Sequence, residues 1–156
     1  MRSNAEIKAL TPGIMESGLH PMQNAKFQDL TPKKMTSLFP DSVVFAYLFG
    51  SAARGEQTPF SDTDIAVYLQ DGIPSFADEK LRILGCLTEM LKTDQVDLVT
   101  LNDAPLPLAA RVLRHGKLIL DRDPFSRHLY ISLMFRKSFD FSHFEESILN
   151  RRFGIG

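Results

Sequence analysis

The sequence is poor in the features that define several large classes of protein. It has a single cysteine, Cys86, so no disulfide can form within the chain. That fits a reducing compartment, with a core position as the expected role of the thiol. Long apolar runs are missing too. The longest, Val43–Phe49, is far too short to span a bilayer, and the opening stretch MRSNAEIKALTPGIMESGLHPMQ lacks an apolar leader region. A soluble, cytoplasmic protein is expected. Neither sign of charge dominates, with 18 Lys plus Arg against 19 Asp plus Glu. No global field therefore attracts nucleic acid, and any phosphate binding must be local. Internal repeats, low-complexity tracts and domain linkers are also absent, and 156 residues suffice for one domain around a single core.

Two common nucleotide motifs are missing as well. Gly50 and Gly55 have the spacing of a P-loop, but Glu56 and Gln57 stand where that loop needs Lys and Ser or Thr. There is no Gly-x-Gly-x-x-Gly turn.

What is present reads as a small α/β (α+β) domain. Residues 1–30 have weak periodicity and several Pro and Gly residues, which predicts a loosely ordered N-terminal arm before a single domain over 31–156. Thr31-Pro32 opens a short helix that ends before Pro40. Val43–Phe49 is a strand buried on both faces and ended by Gly50, and Asp64–Leu69 is a second strand. Ser75 with Asp78 resembles a capping box for a helix running to Lys92, whose buried stripe is read as Ala77, Leu81, Leu84, Leu87 and Leu91. Gln95–Leu101 is a third strand, Leu106–His115 a helix stopped by Gly116, and Lys117–Leu120 a last short strand. Asp123-Pro124 opens a helix toward residue 150, with Phe139–Ser142 as a candidate break. The expected architecture is a small mixed sheet flanked by helices, with a helical C-terminus.

One stretch does not fit a purely structural strand. FGSAARGEQTPFSDTDIAVYL, residues 49–69, carries Asp62 and Asp64 at the start of an otherwise apolar strand. Residues two apart on a strand point the same way, roughly 6–7 Å apart at the backbone, so the two carboxylates project together. Asp97, between Val96 and Leu98 on another strand, is placed to complete the cluster. Three close carboxylates repel one another and take up protons unless a divalent cation neutralises them, and all-oxygen ligands select a hard ion such as Mg²⁺ or Mn²⁺. Gly50-Ser51, between a strand and a short helix, offers backbone N–H groups and a hydroxyl to an anion. A phosphate turn facing an acid pair is the layout for metal-assisted transfer from a nucleoside triphosphate. An Asp-x-Asp pair alone is more often a turn or a solvated strand end; the Gly-Ser spacing tips the balance to chemistry.

Gly50-Ser51, ten residues, then Asp62-Thr63-Asp64 resembles the signature of the DNA polymerase β-like nucleotidyltransferases. The local form, GSAARGEQTPFSDTDIAV with a later VDLV, resembles the MNT-type minimal nucleotidyltransferases over roughly residues 40–121. This resemblance implies an antitoxin of a type VII-like pair. Such an antitoxin moves AMP from ATP to a tyrosine hydroxyl of a HEPN-domain ribonuclease toxin and so neutralises it. It further implies that Asp62 and Asp64 hold two ions, and that Asp97 ligates one and orients or deprotonates the acceptor. Gly50 and Ser51 would hold the triphosphate, and Arg54 would contact phosphate or partner. Transfer to a small molecule such as an aminoglycoside, or an antitoxin that only occludes its toxin, are the alternatives.

Two further signals are weaker. Arg122 and His128 have the spacing of a HEPN ribonuclease pair, but those domains are all-helical and strands precede this pair, so the match is read as chance. His115 is read as a helix C-terminal residue favoured by the dipole. Seven of fifteen aromatics, Phe125, Tyr130, Phe135, Phe139, Phe141, Phe144 and Phe153, fall in the last 33 residues. A single helical face cannot bury them all, and the excess suits a protein interface.

Overall fold

The computed structural model describes residues 32–58 and 61–153. The expected N-terminal arm and the Thr31 cap lie outside this range. The elements are α1 (Pro32–Leu38), β1 (Val43–Phe49), α2 (Gly50–Arg54), β2 (Thr63–Leu69), α3 (Phe76–Leu91), β3 (Val96–Thr100), α4 (Leu106–His115), β4 (Lys117–Asp121) and α5 (Pro124–Phe153). The four strands form one mixed sheet in the order β3-β2-β1-β4. β1 pairs antiparallel with both β2 and β4, whereas β2 and β3, joined through α3, are parallel. The α/β architecture expected from the sequence is the one observed, and β1 and α4 have the expected bounds.

Side chains alternate between two apolar layers. Ile65 and Val67 of β2 and Leu98 of β3 join Leu38 of α1 and Ile83, Leu87 and Leu91 of α3 in the first layer. Phe45 and Tyr47 of β1 and Ala66 of β2 join Ala109 and Val112 of α4 and Tyr130 and Met134 of α5 in the second. A register irregularity between Val43 and Phe45 resets the alternation at the start of β1, so that Val43 and Ala46 both enter the first layer. The Tyr130 hydroxyl keeps its burial inexpensive by donating to the Leu101 carbonyl at 2.7 Å.

Local chemistry explains the element ends. Ser75 Oγ accepts the Asp78 N–H at 3.3 Å and starts α3. Asp123 Oδ1 accepts the N–H groups of Phe125 and Ser126, each at 3.1 Å, ahead of Pro124 at the first turn of α5. Hydrogen bonds from Ser126 hold the Asp123 carboxyl below its ordinary value. The Arg122 guanidinium donates to four carbonyls, those of Thr36, Phe39, Pro40 and Val43, and ties α1 to the β4–α5 junction. That structural role accounts for Arg122 without any ribonuclease pair.

Three expectations need correction. The buried stripe of α3 runs through Ile83, Leu87 and Leu91, with Ala77 exposed and Leu81 67% exposed. The helix has apolar residues on two overlapping phases, and contact with the sheet selects one. α5 is continuous across Phe139–Ser142, a segment with neither Pro nor Gly to break it. Gly116 stops α4 as expected, in extended backbone, φ −73°, where its small size answers close packing. Cys86 is only half-buried.

Candidate active site

Gly50 sits where β1 turns into α2, with φ +66°, a conformation that disfavours any side chain. The space is closed as well. A Cβ built on Gly50 would lie 2.0 Å from Asp64 Oδ2. The β1–β2 register explains the closeness, because Phe49 pairs directly with Asp64. Sequence reasoning assigned Gly50 to the approach of a phosphate; the structure adds that a carboxylate already packs against it. α2 is pinned by buried Ala52 and closed by Gly55, φ 71°, whose backbone N–H turns back toward Ala52 and Ser51. The Ser51 hydroxyl has no hydrogen-bond partner among the described residues and faces a cleft.

Across the parallel β2–β3 seam Asp64 is in register with Asp97. Both fall on the second-layer side of the sheet, since Ile65 and Leu98 between them and their neighbours point to the first. Asp62 lies one residue ahead of β2 and is exposed. The structure therefore pairs two of the three expected acids and leaves the third at the strand's mouth. Burial raises the pKa of Asp64 above its ordinary value, the charges of Asp97 and Asp62 raise it further, and Arg111 and Arg54 oppose the shift. Among the described residues no three His, Cys, Asp or Glu side chains converge as a ready-made metal site. The donor chemistry nonetheless fits a hard divalent cation: the paired groups are carboxylates, and a double positive charge removes the repulsion between them.

The cleft has a volume of about 810 Å³ and is lined by Phe49, Gly50, Ser51, Arg54, Asp64, Asp97, Val99, Leu108, Arg111 and His115. Five of the six sequence-predicted site residues line it, and only Asp62 does not. Arg54 reaches the cleft while paired with Glu56 at 2.8 Å, both largely exposed. Two charged or titratable groups were missed by sequence reasoning. Arg111 was not singled out, and His115 was read as structural. The signal that could have found them is their spacing on α4, four residues apart and hence on one face.

Comparison with known proteins agrees with this geometry. The polymerase β nucleotidyltransferase family profile matches residues 33–125. A solved toxin–antitoxin structure with AMP-PNP is similar at 25% identity and TM-score 0.63, over 78% of this chain and 98% of that one. A mutant MntA–HpeT toxin–antitoxin structure is similar at 26% identity and TM-score 0.60, over 78% and 97% of the two chains. A complex of tri-AMPylated Shewanella oneidensis HEPN toxin with MNT antitoxin, at 24% identity and TM-score 0.59 over 80% and 97%, shares the fold. No curated protein matches. The resemblance read from the Gly-Ser turn and the acid pair is borne out.

Proposed function

This chain belongs to the polymerase β nucleotidyltransferase family, and from that premise we propose that it is an antitoxin that transfers AMP from ATP to a tyrosine hydroxyl of a HEPN-domain ribonuclease toxin. The observation that carries the reading is the Asp64–Asp97 pair, held in register and packed against the Gly50 turn inside an open cleft. The similar structures support it, one being a toxin–antitoxin with AMP-PNP and another containing an AMPylated HEPN toxin.

In the proposed reaction the acceptor oxygen forms a bond to the α-phosphorus while the bond from that phosphorus to the bridging oxygen breaks, releasing pyrophosphate. Asp97 takes the hydroxyl proton. Gly50 and Ser51 bind the triphosphate, and Arg54 adds charge at the same edge of the cleft. Asp62, Asp64 and Asp97 would hold two Mg²⁺ or Mn²⁺ ions, whose contribution is to neutralise phosphate charge as it develops.

The acceptor must arrive on a partner, because the cleft is open. The outer face of α5 offers a docking surface. Phe125 is 77% exposed and Phe139 69%, with Leu129 and Leu133 also exposed between them. Leu129 and Leu133 continue into a groove of about 500 Å³ shared with Tyr68 and Val44. Phe141, Phe144 and Phe153 lie outside the described side chains.

Intact-mass spectrometry is the direct test. The chain is incubated with ATP, Mg²⁺ and an all-helical protein bearing Arg-x₄₋₆-His that is encoded beside it. A gain of one or more AMP units on that protein, absent with Asp64→Asn, is the expected result. Neutralisation by a tight complex with no mass change would make this an occluding antitoxin, and AMP transfer to an aminoglycoside alone would make it a small-molecule enzyme.

A further inference from the structure

α4 presents two unlike sides. Ala109 and Val112 are fully buried in the second layer, whereas Leu108, Arg111 and His115 line the cleft. Their spacing of three and then four residues makes one stripe along the helix. The far end of that stripe is fixed in place. β4 pairs Lys117 with Leu48 of β1, and a Cβ on Gly116 would lie 3.3 Å from the Leu48 carbonyl oxygen and 2.4 Å from that of Val112. The last turn of α4 is thus held beside the Phe49-Gly50-Ser51 turn by sheet pairing and close contact.

Several arginines near the sheet are engaged, and of the two on α4 that are not, Arg111 and Arg114, only Arg111 lines the cleft. Arg54 is bonded to Glu56, Arg82 to Glu79, Arg127 to Asp121, and Arg122 to backbone carbonyls. Arg111 makes no hydrogen bond or ion pair with any described residue, although its charge is felt at Asp64. An unengaged guanidinium on a helix packed against the sheet, facing a cleft lined by two carboxylates, is placed to meet an anion larger than a carboxylate.

We infer that Arg111, with His115 one turn further on, forms a second grip on the triphosphate, binding its β- and γ-phosphates from the α4 side of the cleft. This inference rests on the nucleotidyltransferase reading above. When the bond from the α-phosphorus to the bridging oxygen breaks, its electron pair stays on that oxygen, and the departing pyrophosphate gains negative charge. A planar guanidinium donates two parallel N–H bonds to such an oxyanion, while the His115 ring adds one donor. The α-phosphate and nucleoside lie outside this grip.

The test compares a ligand that has the β- and γ-phosphates with one that lacks them. Calorimetric titration of the full chain in Mg²⁺ measures AMP-PNP and AMP binding to the wild type and to Arg111→Gln, Arg111→Lys and His115→Gln. Arg111→Gln is expected to weaken AMP-PNP about ten- to a hundredfold and to leave AMP unchanged. Arg111→Lys falls between, since it keeps the charge and loses the fork, and His115→Gln costs about a few-fold. Both residues are exposed, so unaltered thermal melting shows that the fold is intact. Unchanged AMP-PNP affinity in Arg111→Gln, or an equal loss for AMP and AMP-PNP, overturns the inference and leaves the function standing. A wild type that binds neither ligand overturns both.

Discussion

On the side covered by α1 and α3, β2 contributes Ile65, Val67 and Leu69, all with no exposed surface. On the side covered by α4 and α5, the same strand contributes Asp64, Ala66 and Tyr68, two of them polar and half-buried. The first side is closed along its whole length, by helices whose apolar stripes meet it. The second is closed only where Ala109, Val112, Tyr130 and Met134 reach, and it opens at the strand ends into the cleft. One side thus carries stability with no reactive group, and the other carries the reactive groups at some cost in stability. Period-two alternation lets seven residues serve both ends at once.

Substitutions that hit one side only can break this division. The largest effect is expected from Asp64→Asn, which removes a carboxylate from the open side and should lower AMP transfer by about a thousandfold or more. Its effect on stability runs the other way. The raised pKa of Asp64 means that the folded state binds this proton more tightly than the unfolded state. Its stabilising share is present below the ordinary value of 3.8 and is lost as pH rises through the folded value. At neutral pH without divalent ions the Asn variant should therefore melt about 1–3 °C higher than wild type, and the gap should close on acidification. A melting point lowered at neutral pH would show that the carboxylate is stabilising, and the division would fail.

Next in size is Leu87→Ala, on the closed side. The loss of a fully buried side chain is expected to cost about 2–5 kcal/mol by denaturant titration, with kcat unchanged for the fraction that remains folded. A selective fall in kcat would couple the closed side to the chemistry. Gly50→Ala comes third. The added Cβ must displace the Asp64 carboxylate or the turn, and a shift of about 1 Å there is expected to lower kcat/KM about a hundredfold. Double substitution with Asp64→Asn should be far from additive, because the two share one contact. Smallest is Phe139→Ser on the outer face of α5, expected, on the proposed function, to slow AMP transfer to the partner protein about threefold to tenfold while leaving ATP binding unchanged. Equal losses with a free small-molecule acceptor would remove α5 from the partner surface.

Much of this division can be read along the chain. β1 was legible to the residue because a strand covered on both faces is apolar throughout. The Gly50–Asp64 relation was visible as spacing, since a glycine turn and an acid pair constrain each other whichever helix lies between. What escaped reading depends on how elements meet. Leu81 and Ile83 lie on nearly opposite faces of α3, and only the position of the sheet decides which is covered. Arg111 and His115 share a helix face by their spacing, but that this face meets the turn depends on β4 pairing with β1 and carrying the end of α4 there. Asp62 shows the converse: the spacing placed it on the strand, and β2 begins one residue later.

The parallel seam between β2 and β3 also sets an order of assembly. β1 and β2 are neighbours in the chain and pair antiparallel, so the Asp64 carboxylate can come to rest against Gly50 through a short closure. Asp97 joins only after the whole of α3 has folded back and the parallel strand has docked, a slower and more distant event. A chain caught between these events holds a turn and one carboxylate but no pair. The acid pair is thus completed by a non-local pairing and not by the hairpin alone.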